Sequence, residues 1–255
     1  MSADLSSSRK LTLPSIEAVH YQRNLIQKTV CELRFPTLYS LDSHKPPVSF
    51  ATALRKTYPE HAVMNDLNVS SSGVAQAFAH VFTDKKRRLA VSLRPSAISI
   101  EASAYHSFED FASQVAQVVE ASEKVIDSEF FTRVGLRYIN TVPYDPATIA
   151  QWVNPALVQA LADGIYGDAI EHHGRVSGTT DAGGFAFSHG LGVNSSSGKK
   201  EYVLDLDFFQ EDVGVRETGK VLTELHELEF RMFHWCIGKA AFDHLGTATP
   251  KHRKG

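Results

Sequence analysis

The sharpest chemical pattern in this sequence is a set of charged residues at alternate positions: Glu32, Arg34, Glu101, Arg133, Arg137, Asp205 and Asp207. Alternation sends successive side chains of a strand to opposite faces. In residues 30–35, Cys31, Leu33 and Phe35 oppose Glu32 and Arg34. In residues 132–140, Val134, Leu136 and Tyr138 oppose Arg133, Gly135 and Arg137. In residues 201–208, Tyr202, Leu204, Leu206 and Phe208 oppose Glu201, Val203, Asp205 and Asp207. If the apolar faces meet helices, the charged residues gather on the other face of one sheet. Two chemistries are open there. The charges can simply pair across strands on a solvated face, each pair worth about 0.2–1 kcal/mol. Alternatively, the arginine forks grip a partner's phosphate or carboxylate groups while the acids orient them.

Rival chemistries fit less well. Asp205 and Asp207, with Glu32 or Glu101, have the donors of a Mg²⁺ site for phosphoryl transfer, but Arg34 and Arg137 nearby would neutralise them. His226-Glu227-Leu228-Glu229-Phe230 lacks the second histidine of the metalloprotease spacing. His172 and His173 point to opposite faces of an expected strand, and His226 and His234 stand two helical turns apart. The glycines at 183, 184, 190 and 192 lack the spacing of a dinucleotide or Walker loop, and Ser195-Ser196-Ser197-Gly198 is no nucleophile elbow. The basic run Lys85-Lys86-Arg87-Arg88 reads as a hairpin tip or a phosphate contact. Phe230, Phe233, Trp235, Ile237 and Phe242 read as core or as a homodimer face, and Tyr138, Tyr202 and Phe208 as walls of a pocket between sheet and helices. No catalytic residue, metal or cofactor is assigned.

The elements that position these residues follow from the hydrophobic period. Strands are expected at 25–35, 76–82, 88–93, 97–104, 130–142, 165–176, 184–193 and 201–209. Helices are expected at 49–58, 107–126, 146–162 and 216–245, the second opening on Ser107 with Asp110 three residues on. That order repeats: strand, helix, two-stranded hairpin, strand, long helix. Glu32-Leu33-Arg34-Phe35 is echoed by Gly135-Leu136-Arg137-Tyr138, 103 residues later, and prolines 36 and 143 close the two strands. The reading is an α+β domain over residues 23–245 with two similar βαβββα halves, 23–128 and 129–245. Residues 1–22 form a flexible segment before it and 246–255 a basic tail after it. Eight strands with both long helices on one face give two layers and a curved, largely antiparallel sheet, an architecture like the saddle of the TATA-binding-protein-like folds.

The chain has 255 residues, 26 Lys and Arg against 29 Asp and Glu, 43% hydrophobic residues and 2 cysteines. Such a length buries roughly 70–75% of the unfolded surface and needs no disulfide scaffold. Two distant cysteines, no signal-peptide pattern and no run of about 18 apolar residues point to a cytoplasmic protein outside the membrane. A net charge of −3 argues against a wholly basic nucleic-acid wrapper.

Arg133-Val134-Gly135-Leu136-Arg137-Tyr138-Ile139-Asn140 resembles the signature of a sporadically distributed, functionally uncharacterised bacterial family of about this length. The resemblance extends to Val30–Phe35, to the helix from Phe50 to Tyr58-Pro59, and to Tyr105, Phe108 and Phe111. The family's opening strand reads Pro-Ile-Val-Glu-Ala-Val, where this chain has Asn24-Leu25-Ile26-Gln27-Lys28-Thr29. It implies no catalytic residues, only a place among accessory or mobile bacterial gene sets, some near phage-defence genes. The expectation is therefore a binding or adaptor module. Its contacts with a protein partner, or with nucleic acid, would run through Glu32, Arg34, Arg133, Arg137, Asp205 and Asp207. A metal-dependent phosphoryl-transfer enzyme and a small-molecule binder are the alternatives.

Overall fold

Apolar alternation between turn residues becomes nine strands in the computed structural model, which describes residues 9–17, 19–70, 73–194 and 196–247. The first part of the chain holds β1 (Ile26–Arg34), α1 (Val48–Leu54), β2 (Glu60–Ser70), β3 (Gly73–Thr83), β4 (Leu89–Arg94), β5 (Ala97–Ala102) and α2 (Phe108–Ile126). The second holds β6 (Phe130–Pro143), α3 (Ile149–Trp152), α4 (Pro155–Ala162), β7 (His173–Thr179), β8 (Gly184–Val193), β9 (Lys200–Gly214), α5 (Thr218–Cys236) and α6 (Lys239–Leu245). The fold is α+β. Its strands form one antiparallel sheet in the order β2-β3-β4-β5-β1-β6-β9-β8-β7. The β1–β6 ladder, from Ile26 opposite Asn140 to Arg34 opposite Arg133, joins the two parts.

Burial follows the alternation. Cys31 and Leu33 of β1, Val134 and Leu136 of β6, and Tyr202, Leu204, Leu206 and Phe208 of β9 are all inaccessible to solvent. They face the helices: α5 packs on β6 and β9, and α2 packs on β5, α1 and α5. Each such side chain contributes roughly 1.5–3 kcal/mol over its exposed state. Ser107 caps α2, its Oγ accepting from the Asp110 amide at 3.1 Å, and Glu109 and Asp110 sit in the first turn where the helix dipole favours acids. Phe111, Val115, Val118 and Ile126 form the buried stripe of that helix, which ends at Asp127 with φ 46°.

Three expectations need correction. The sheet has nine strands where eight were expected, because Glu60–Ser70 pairs with β3 along its whole length. β3 meets β4 only over His80–Thr83, so most of the β2–β3 ribbon has no second neighbour, and residues 60–65 are exposed. A strand with no buried face shows no apolar alternation. The helix expected at 216–245 is two helices, α5 and α6. Between them Gly238 donates its amide to Trp152 O at 2.8 Å, and a Cβ there would lie 2.4 Å from Gln151 O. Residues 165–172 are turns and bends rather than strand.

Residues 9–17 and 19–22, which the sequence placed ahead of the domain as a flexible segment, make contacts with it. Leu11 N donates to Thr179 O at 2.8 Å, Lys10 pairs with Asp181 at 2.9 Å, and Arg231 of α5 donates to the carbonyls of Leu13 and Pro14. Tyr21 bridges to Thr247, so the two ends of the described domain meet. Residues 2–8 and 248–255 of the expected tails, and Ser195, lie outside the described residues. Among the described residues no helix is long and apolar enough to cross a membrane.

Candidate functional site

The register of β1, β6 and β9 brings the charged residues together. Glu32 stands opposite Gly135, Arg34 opposite Arg133, and Arg137 opposite Asp207. Arg133 lies at the centre. Its Nη1 donates to Glu32 Oε1 at 3.2 Å and its Nη2 to both oxygens of Asp207 at 2.9 Å, while the guanidinium rests 4.4 Å from the Phe209 ring centroid. The guanidinium spreads over Gly135, where a Cβ would lie 2.3 Å from Nη1. Glycine at this point of the Arg-x-Gly-x-Arg run is what lets Arg133 span three strands. Arg137 forks onto Asp205 through Nε at 2.6 Å and Nη2 at 2.5 Å. Arg34 donates Nε to Glu32 at 2.7 Å, and Lys28 pairs with Glu101 at 3.0 Å.

The six site residues read from the sequence, with Glu101, thus share one face, and they bind each other. Arg133 is only 14% exposed, whereas Arg34 and Arg137 are 56% and 45% exposed. Burial pushes the Asp207 carboxyl up despite Arg133 beside it, and the Asp205 hydrogen bond holds the Arg137 guanidinium further above its ordinary value. Asp205 and Asp207 each face a guanidinium, so a divalent cation there has to displace an arginine. Among the described residues no group of three His, Cys, Asp or Glu is placed to hold a metal ion. The basic run forms the exposed β3–β4 turn, built on Asp84, whose Oδ1 accepts from the Arg88 and Leu89 amides.

The opposite face holds a second arrangement. A cavity of about 560 Å³ opens between β6, α5, the segment before α2 and residues 19–26. Aromatic rings line much of it. Phe108 stacks on His226 at 4.0 Å and 3°, Tyr105 meets Tyr138 edge-on, and Phe230 lies in the wall. Tyr138 and His226 Nδ1 share a hydrogen bond of 3.0 Å, and Tyr21 and His234 Nε2 one of 2.6 Å. Desolvation pulls His226 down to about 4 and lifts the Tyr138 hydroxyl well above its ordinary value. Glu229 of α5 completes the wall. It is fully buried, and neither carboxyl oxygen has a hydrogen-bond partner. The Phe208 backbone lies close enough to favour its anion but makes no hydrogen bond with it, and burial raises this carboxyl well above the usual range.

Of the pocket residues expected from the sequence, only Tyr138 lines this cavity. Tyr202 and Phe208 are fully buried elsewhere, Tyr202 in a 2.6 Å hydrogen bond with His189. In the apolar stripe Ile237 is buried, Phe233 and Phe242 pack against the core, Phe230 meets the rings of Tyr21, His226 and His234, and Trp235 is 37% exposed. Sequence reasoning passed over Glu229. Its signal is the spacing on α5, where Leu225, Glu229, Met232 and Cys236 follow one inward stripe and a single acid interrupts it. Comparison with family models and with curated proteins finds no match.

Proposed function

We propose that this chain is a non-enzymatic binding module that grips a protein partner through the face of the sheet opposite the helices. The observation that carries this reading is the state of Arg34 and Arg137. Arg34 is anchored on Glu32 of its own strand and Arg137 on Asp205 of the neighbouring β9, yet each keeps about half its surface in solvent. Among the described residues Arg34 uses only Nε on Glu32, which leaves its terminal donors for a partner's carboxylates or carbonyls. The row balances four cations, Lys28, Arg34, Arg133 and Arg137, against four anions, Glu32, Glu101, Asp205 and Asp207. A balanced row does not track a phosphate backbone, whose capture needs an excess of cations, but it suits the alternating charges of a protein surface.

The same proposal includes a two-layer, tandem architecture of the TATA-binding-protein-like kind. Its support is the central ladder: the offset of 103 that carries Arg34 onto Arg137 also carries Glu32 onto Gly135, its own cross-strand partner. A twofold relating the halves would pass through that pair. The likeness of residues 133–140 to the bacterial family signature supports a role in an accessory or defence gene set. Two free, buried thiols, Cys31 and Cys236, suit a cytoplasmic setting.

The test is co-purification from the native host at low salt with wild type and Arg34→Ala/Arg137→Ala, read by native mass spectrometry and the ultraviolet absorbance ratio. A stoichiometric protein that is lost from the variant, with little change in the variant's melting temperature, is the expected result. Recovery of the same species by both forms sinks the reading, and co-purified nucleic acid lost from the variant replaces the protein partner.

A further inference from the structure

We propose that the cavity between β6, α5 and the segment before α2 binds a small arylalkylamine, its ammonium group paired with the Glu229 carboxylate and its ring held among the surrounding aromatic side chains. The volume, about 560 Å³, falls in the range of small-molecule sites. A buried carboxyl without a hydrogen bond is costly, and a structure keeps one only where something else supplies the donors. Glu229 is such a group, in the wall of a cavity whose rim residues His20, Arg23, His106 and Glu227 are exposed; its carboxyl oxygens are covered in the unliganded fold, so an ammonium group reaches them when the side chain turns into the cavity.

The sign of the ligand follows from the walls. Of the charged lining, Glu109, Glu227 and Arg23 are all exposed at the rim, and the buried charge-bearing group is the Glu229 carboxyl. The ring faces of Tyr105, Phe108, Tyr138 and Phe230 favour a cation and accept a flat apolar body. An anionic ligand would gain nothing from Glu229 and would oppose its ionisation, whereas an ammonium ion stabilises the carboxylate. Around Glu229 stand Tyr138 from β6, Cys236 and His226 from its own helix, and Asp205, Asp207 and Arg137 of the sheet. An ammonium ion favours the ionised carboxyl, so any proton that Glu229 holds goes to solvent on binding, and the observed heat then depends on the ionisation enthalpy of the buffer.

Calorimetric titration of the whole chain with tryptamine, its uncharged alcohol analogue tryptophol and the anion indole-3-acetate tests this. Tryptamine is expected to bind at least about ten-fold more tightly than tryptophol, with indole-3-acetate weaker still. Glu229→Gln is expected to remove that advantage while leaving tryptophol within about three-fold, and Arg34→Ala to leave both unchanged. Equal affinity for amine and alcohol in the wild type overturns the proposal, whether or not the variant folds. So does an amine affinity that survives Glu229→Gln, or no tryptamine binding up to about 1 mM.

Discussion

Arg133 is held between Glu32 and Asp207 with 14% of its side chain exposed, so its removal leaves two partly buried carboxylates facing each other. We expect Arg133→Ala to lower unfolding free energy by about 2–3 kcal/mol in urea titrations. Arg34→Ala is expected to cost less than about 0.5 kcal/mol, because Glu32 keeps Arg133 and Arg34 is half in water. Gly135→Ala acts on the same contact from below: a methyl 2.3 Å from Nη1 forces the guanidinium off Asp207. Its cost should therefore approach that of Arg133→Ala, and the double variant should cost little more than either alone. Additive losses would show that Gly135 matters for some other reason. The members of this network were legible in the sequence because alternation sorts faces without knowledge of strand order. Their pairing was not, since it depends on a register set by residues about 100 positions apart. Glu229 was illegible for the opposite reason. One acid in an amphipathic helix looks like a polar interruption until the sheet beneath it is in place.

Helix α5 carries two titrating groups whose effects on stability have opposite sign. His226, ordinarily at 6.5, is held near 4 by desolvation against Phe108 and Tyr138. Below pH 6.5 the unfolded chain takes up the proton first, so stability present above 6.5 is lost as pH falls towards 4. The loss amounts to about 3 kcal/mol over that interval. In His226→Gln the fall between pH 7 and 4.5, read from urea midpoints, should shrink accordingly. Glu229 behaves in reverse, because the folded state keeps its proton above the ordinary 4.5 and stability drops as pH rises from there towards its folded value. Glu229→Gln should gain on wild type with rising pH, by up to about 1.4 kcal/mol per pH unit. The helix also shows what local signals reveal. Its stripe and the Ser107 cap of α2 were readable, since both are written within a few consecutive residues. The corner at Gly238 was not, because its reason is a backbone contact with Gln151 in another element. Gly238→Ala should accordingly cost about 1–3 kcal/mol, measurable as a lowered urea midpoint. β2 escaped because its residues 60–65 are all exposed, and a buried face is what gives a strand its period.

At the scale of the whole molecule the central ladder decides how the chain unfolds. The buried cluster runs without a break from Leu33 and Ile100 on one side of the β1–β6 seam to Leu136 and Phe208 on the other. α2 also packs against α5, and residues 21–23 pair with 245–247 at the far ends of the chain. Separating the parts would strip β1 and β6 of a ladder and open long, apolar-backed edges, which are unfavourable in water and prone to pairing elsewhere. The two parts of the chain therefore share one cooperative unit rather than behaving as two domains. Scanning calorimetry should show a single transition whose van't Hoff and calorimetric enthalpies agree. Leu33→Ala, a substitution in the fully buried part of β1, is expected to cost about 2–5 kcal/mol and to move that whole transition downward. Two resolved transitions, only one of them shifted by the substitution, would mean that the seam is a contact between independent units. The shared face of charges would then lie across a joint and could not be held as one rigid surface.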